Sequence, residues 1–507
     1  MKTRPPELKD LEKWINATFR KVRLQQTYTI WIVTDAILGG ADPAPTVLGD
    51  VRTSTVRGQL RFWWRATRGA AYADAGKLKA RERLIFGDTS LASPCRIQVK
   101  MHDSRGMSSF SEIPPYVAFP FKDSDKYKKG ETPLSLKTAA RQRGRGFDMA
   151  LEYHDAIEIQ DNKPITLLDA EEIRYEVEAA LWAWINFGGV GARTRRGCGS
   201  LYCKRFSPDP VATKSAELLL KWIKEQMEAY KLPVLSKGEY REWPILALLG
   251  DKENGIAIRS RSEHGFEKVL DVWKETIKAY FEFRQRRNIR EIIETNKTKP
   301  TTKPTRSHWP EPDSIRKISG WSDPRHRTIG SVLAFPRAQF GLPIIFQFNT
   351  RDTPNQKGNY QGNKQGSVNE EPLKTELNHL DSDRMRLASP LILKPLAIDK
   401  NHAYGVIIRL VQPPLGPLRL RQIDKDRTPK IKDQRAITDF QNRLDTLNIS
   451  TDHIYPGEFI SSKYPLLNRG SDAITGFLQS MEVKKWKNRI QQASSKEKSS
   501  RNWPLEP

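Results

Sequence analysis

Cysteine is scarce in this chain: Cys95, Cys198 and Cys203 are the three among 507 residues. Their number and spacing suit neither a disulfide framework nor a zinc site, so a reducing, cytoplasmic setting is expected. Histidine is thin as well, with eight scattered residues and no pair at metal-ligand spacing, so neither a metal nor another cofactor is expected. No apolar run approaches the roughly 20 residues that a membrane-spanning helix needs. Met1–Glu7 lacks the apolar stretch of a signal peptide, and export is not expected. Hydrophobic residues make up only 37%, low for one compact globule, which points to cores diluted by long charged insertions.

What the chain does have is positive charge. Lys and Arg number 85 against 60 Asp and Glu, a net charge of +25, which calls for a polyanionic partner. The charge concentrates most tellingly in Phe187-Gly188-Gly189-Val190-Gly191-Ala192-Arg193-Thr194-Arg195-Arg196-Gly197-Cys198-Gly199. Bare glycine backbone can come close to another molecule and turn its N–H groups into an anion-binding nest. Guanidinium forks match phosphate geometry. A plain helix-ending turn, with Gly188 as its C-cap, needs one glycine rather than five. No Gly-Lys-Ser/Thr follows and Gly-x-Gly-x-x-Gly spacing is missing, so nucleotide hydrolysis is not expected.

A second signal lies in a helix expected from about Val56 to Ala73, with Val56, Leu60, Trp63, Trp64, Thr67 and Ala71 on one arc. Arg57, Arg61, Arg65 and Arg68 fall within about 80° of one another on a wheel of 3.6 residues per turn. Most such stripes are solvated surface; this one has no acid four residues on to pair it, which favours contact with phosphate. Trp63, Trp64, Trp182 and Trp184 sit in helical patterns and are expected in the core.

The first 206 residues read as strand, helix, strand, strand, helix, strand. The expected strands are Tyr28–Val33, Arg96–Lys100, Ala156–Ile159 and Ser200–Lys204. Asp169 and Glu172 form a capping box before a helix that buries Ile173, Val177, Ala180, Leu181 and Trp184. The fold class expected is α+β: two ferredoxin-like (RRM-like, βαββαβ) domains with long insertions, over residues 1–210 and 211–507. In the second, Phe266–Tyr280 and Ile437–Leu444 mark helices, and Leu342–Phe348, Ser389–Ile398 and Ala403–Val411 mark strands. Lys122–Gly146 reads as an insertion, and Lys297–Arg306, Asp352–Glu370 and Ser494–Arg501 read as polar loops or tails.

The catalytic inventory is thin. His102-Asp103 and His154-Asp155 are adjacent pairs whose members face opposite ways on a strand, and Asp35 and Asp42 read as turn residues. The RNP consensus of an RRM is absent from the expected central strands, so recognition should run through loops and the helix edge.

Val56-Arg57-Gly58-Gln59-Leu60-Arg61-Phe62-Trp63-Trp64-Arg65, followed by the glycine-rich loop, resembles the RAMP superfamily of CRISPR effector proteins. More narrowly, it is similar to the family of first-numbered RAMP subunits of the type III-B Cmr complex. Trp309–Arg316, Phe340–Pro343 and Ala388–Pro395 extend that similarity. The resemblance implies two ferredoxin-like domains without catalytic activity. It implies a place beside other RAMP subunits near the 3′ end of CRISPR RNA, with target RNA as a further partner. It implies RNA contacts from Arg57, Arg61 and Arg65, and from Gly191, Arg193, Arg195, Arg196 and Gly197. A metal-independent endoribonuclease that matures CRISPR RNA is the alternative.

Overall fold

The computed structural model describes residues 24–38, 49–102, 113–118, 143–160, 163–232, 234–235, 239–246, 248–249, 256–259, 265–285, 287–292, 301–320, 333–348, 372–380, 386–423, 434–457, 464–480 and 483. They fall into two compact units. The first runs to Ile277 and takes in Ile392–Pro413; the second holds Lys278–Leu391 and the described part of Pro414–Asn488. The first unit thus gathers strands from beyond the boundary expected at residue 210.

The first unit is built on four antiparallel strands: β1 (Leu24–Ile32), β2 (Cys95–Met101), β3 (Gly146–Tyr153) and β6 (Leu201–Tyr202), in the order β2-β3-β1-β6. Alternation sets the inner face: Tyr28, Ile30 and Ile32 of β1 and Phe147, Met149, Leu151 and Tyr153 of β3 are buried. Register brings Ile30 opposite Phe147 and Tyr28 opposite Met149. Gln25, Thr27, Thr29, Arg96, Gln98 and Lys100 face outward and are exposed.

Two helices cover the inner face, α1 (Thr53–Ala66) and α3 (Ala170–Phe187), with α2 (Ala75–Phe86) beside α1. The Asp169–Glu172 capping box forms as expected. Trp63, Trp64, Trp182 and Trp184 are all buried, as their helical spacing predicts. The element order and the strand order are ferredoxin-like.

The third strand differs from expectation. Ala156–Gln160 (β4) pairs only with Lys163–Leu168 (β5) in a separate hairpin, and β3 takes the place in the sheet. The reason lies in what each buries. Four large side chains of β3 point inward, whereas the hairpin leaves Ile165 and Leu167 exposed. α1 also ends earlier than expected, giving way to a 3-10 turn at Arg68–Ala71.

A second sheet belongs to the first unit. Ile256–Arg259 (β7) and Glu267–Lys268 (β8) lie along one edge of His402–Arg409 (β10), and Leu391–Ala397 (β9) along the other. Helix α4 (Val269–Gln285) follows β8 directly. Every residue of β9 is buried, as suits a nearly continuous apolar run covered on both faces.

In the second unit Ile344–Phe346, Thr375–His379 and Leu418–Gln422 form an antiparallel sheet packed with helices Glu311–Ser319 and Gln434–Thr446. Thr301–Ser307 pairs with Arg287–Ile292, which corrects the expectation of a polar loop for residues 301–306; residues 297–300 lie outside the described ones. The expected insertion over Lys122–Gly146 falls outside the described residues up to 142, and Gly146 itself opens β3. Asp352–Glu370 and Ser494–Arg501 also lie outside them. Among the described residues, no helix is long and apolar enough to cross a membrane.

Trp309 anchors the second unit. It is fully buried, donates Nε1–H to the Phe283 carbonyl at 3.1 Å, and meets the Phe283, Phe340 and Tyr464 rings edge-on. Trp309→Ala should therefore destabilise this unit by about 3–5 kcal/mol, read as a lower midpoint in chemical denaturation.

Candidate nucleic-acid interface

The glycine–arginine loop begins where α3 stops. Gly188 is the C-cap, its N–H bonded to the Trp184 carbonyl at 2.9 Å, in an extended rather than left-handed conformation. The chain then lies against the segment that continues β1. Ala192 N–H reaches the Ile37 carbonyl at 2.9 Å, Gly199 N–H the Asp35 carbonyl at 2.9 Å, and Val33 N–H the Ser200 carbonyl at 2.8 Å. Thr34 ties the same strands together, donating Oγ1–H to the Gly197 carbonyl at 2.6 Å and accepting from Ser200 N–H at 2.8 Å.

This proximity explains the glycines. At Gly197, with φ +81°, a Cβ would stand 2.5 Å from Trp273 Nε1; at Gly191, with φ +82°, it would strike the Ile37 carbonyl. The same bonds take up part of the backbone expected to form an anion nest. The N–H groups of Val190, Ala192, Arg196, Gly197, Cys198 and Gly199 are all donated to carbonyls of this chain. The glycines serve close packing within the fold.

Those side chains divide. Arg193, left-handed at φ 62°, is exposed at the tip. Arg195 is half-buried, its guanidinium 5.7 Å from the centre of the Phe62 ring on α1. Burial and the neighbouring Arg196 lower its pKa to about 10, which leaves it charged at neutral pH. Arg196 bends back to the Arg195 carbonyl, and its own carbonyl accepts from Trp273 Nε1 at 2.7 Å.

The α1 stripe is not the unpaired row that its own sequence suggests. Glu82 of α2, nearly buried, takes Arg61 Nε and Arg65 Nη1 on one oxygen, each at 2.7 Å. Glu176 of α3 takes Arg68 and Arg81, with Trp64 Nε1 at 2.7 Å on its other oxygen. The acids come from neighbouring helices, out of reach of any i+4 rule. Arg61 and Arg65 nevertheless keep 33% and 35% of their side chains exposed, so each pair retains a solvent-facing cationic edge. Arg57 makes no ion pair among the described residues. Gly58, beside it, is exposed in the second turn of α1; a glycine there costs about 1 kcal/mol against alanine.

Two supporting residues escaped the sequence reading. Glu82 looked like an ordinary helical acid. Lys394, the lone charge in Leu391–Ile398, was a visible anomaly. It is fully buried, and its ammonium donates to the Gly188 carbonyl at 2.7 Å and the Ile185 carbonyl at 3.3 Å. It thus satisfies the open C-terminal carbonyls of α3 where the loop departs.

Chemistry at side chains remains sparse. Among the described residues no three His, Cys, Asp or Glu gather as metal ligands. His102 pairs with Asp148 across the strands, Nε2 to Oδ2 at 3.0 Å, and Asp103 lies outside the described residues; His154 stands 4.0 Å from Glu152. Asp35 is fully buried, and Asp42 lies outside the described residues. All three cysteines are free and buried; burial, then Asp35, pushes the Cys198 thiol well above its usual range.

Residues 33–202, from the end of β1 to the end of β6, match the RAMP superfamily model. Over that stretch the chain is similar to the superfamily. Two subunits from Pyrococcus furiosus are similar to this chain. The CRISPR system Cmr subunit Cmr1-2 is 28% identical over 184 residues, 33% of this chain and 89% of that one. Cmr1-1 is 28% identical over 164 residues, 32% of this chain and 42% of that one. Among solved structures, apo Cmr1 from Pyrococcus furiosus aligns over 84% of this chain and 99% of its own at 19% identity, with a TM-score of 0.39. A Type III-B Cmr-beta complex bound to cognate target RNA aligns over 83% and 98% at 12% identity, with a TM-score of 0.35. Superpositions this loose establish no shared detail.

Burial lowers Lys394 from 10.5 to about 7. Between those values the unfolded chain holds a proton that the folded chain has released, so this lysine makes stability rise with pH across that window; below about 7 both states are protonated and its contribution is level. Lys394→Met should lose this rise. Denaturation midpoints of the two proteins, compared at pH 7 and near pH 10, should converge or diverge accordingly, with the unmodified chain gaining relative to the variant at the higher pH.

Proposed function

We propose that this chain is a non-catalytic RNA-binding subunit of a type III-B CRISPR RNA-guided interference complex. It grips the sugar–phosphate backbone of CRISPR RNA or its target near the guide 3′ end, and docks on neighbouring RAMP subunits. The observation that carries the reading is the meeting of loop and helix: Arg195 lies across Phe62, with Arg193 exposed at the tip of the same loop. Arg57 and the exposed edges of Arg61 and Arg65 extend the cationic surface along α1. Arg196, Gly191 and Gly197 hold the loop in shape. The RAMP match over 33–202, the relatives named as Cmr subunits and the net charge of +25 support the same reading. The cytoplasm is where such a complex would work.

A second ferredoxin-like domain belongs to this proposal. β8, α4, β9 and β10 repeat the sequence strand, helix, strand, strand. As in the first sheet, the third strand lies between the first and second.

A metal-independent endoribonuclease is the second reading, and His102–Asp148 is what favours it. The pair sits on the outward face of the sheet, with Thr29 bonded to Asp148 at 2.7 Å and Trp31 edge-on to His102. Incubation of pure protein with CRISPR repeat RNA in chelator decides between the two. The binding reading expects no discrete product; a product that disappears with His102→Ala would replace it.

Arg193→Ala with Arg195→Ala tests the binding reading better than stripping α1, because removing Arg61 and Arg65 would leave Glu82 buried without its partners. The double variant should bind unrelated single-stranded RNAs more weakly. Its log–log salt dependence should flatten by about 0.7 for each phosphate that the variant no longer neutralises. Unchanged affinity and slope would make this face a protein-facing or solvated surface.

A further inference from the structure

Gly58 is bare for no reason found among the described residues. A Cβ at Gly188, Gly189, Gly191, Gly197 or Gly199 would strike backbone or a tryptophan, but one at Gly58 would meet nothing within 4 Å among the described residues. Its helical conformation needs no glycine either, and the helix is weakened by having one. An atom-sized space kept open at that expense, on an exposed turn, leaves room for a ligand.

The surroundings say what kind of molecule. Helical spacing puts Ser54, Thr55, Arg61 and Phe62 around Gly58, with Arg57 adjacent in sequence. Arg195 comes over Phe62 from the loop. α1 contains no Asp or Glu at all. A packed protein helix would ask for apolar residues beside the small one; here Phe62 lies under the Arg195 guanidinium and the other neighbours named are cations and hydroxyls. We propose that Gly58 marks the closest approach of single-stranded RNA to the protein. Its missing side chain admits the sugar–phosphate backbone between Arg57 and Arg61 on one side and Arg195 on the other. This rests on the RNA-binding reading above and locates its contact to one helical turn.

The test uses the full chain, with Gly58→Ala and Gly58→Leu, a labelled single-stranded RNA of mixed sequence, and thermal melting of each protein. Gly58→Ala should melt higher by roughly 1–3 °C, because alanine is the better helix former. Gly58→Leu should fold at least as well as the unmodified chain yet bind RNA roughly tenfold more weakly, the loss expected when one charge-assisted phosphate interaction is pushed out of reach. Affinity unchanged in Gly58→Leu overturns the proposal and leaves the RNA-binding reading standing. So does intact RNA affinity combined with failed assembly with neighbouring subunits, which would make the occupant a protein. A lower melting temperature in Gly58→Ala overturns it too, by showing that the space is used within this chain. Absence of RNA binding in the unmodified chain sinks the broader reading and this one together.

Discussion

The loop Gly188–Ser200 is packed so closely that a methyl group on any of its five glycines would strike something: the Trp184 carbonyl at Gly188, the loop's own carbonyls at Gly189 and Gly199, the Ile37 carbonyl at Gly191, and Trp273 at Gly197. That packing takes up the N–H groups of Val190, Ala192, Arg196, Gly197, Cys198 and Gly199, around the short turn from Thr194 to Arg196. Lys394 beneath the end of α3 and Trp273 beside Arg196 hold the same backbone from two further directions. A loop tethered this way loses little freedom on meeting a ligand, the condition under which charge-assisted contacts contribute most to affinity.

Within a strongly cationic chain, the buried acids act as organisers. Glu82 and Glu176 hold Arg61, Arg65, Arg68 and Arg81 in place and join α1 to its two neighbouring helices. Such pairs, with the acid buried and the arginine partly in solvent, contribute little net stability, yet removing the arginines would leave each carboxylate buried without its partners. Charge reversal or removal along α1 therefore mixes folding with binding, and the loop arginines give the cleaner reading.

Much of the first unit was legible from residues alone. The capping box at Asp169, the four buried tryptophans and the strand at Tyr28–Ile32 all follow from local periodicity and cap chemistry, which act over a few residues. What went astray depended on distant partners. β3 and β4 both alternate, and only the sheet's demand for Phe147, Met149, Leu151 and Tyr153 chooses between them. The arginine stripe seemed unpaired because Glu82 and Glu176 arrive from other helices. The glycines were read for a ligand, whereas four of the five face backbone carbonyls of the chain's own fold. His102 pairs with Asp148 of the neighbouring strand, a partner that sequence spacing does not reveal.

The central claim is that helix α1 and the arginine-bearing turn together face ribonucleotide backbone. Ultraviolet cross-linking of RNA to peptide in the assembled complex reads this directly. The account predicts cross-linked nucleotides on peptides containing Gly58–Phe62 and Arg193–Arg196. Cross-links confined to other peptides, with both of these instead joined to neighbouring protein by a photoactivated protein cross-linker, would contradict it.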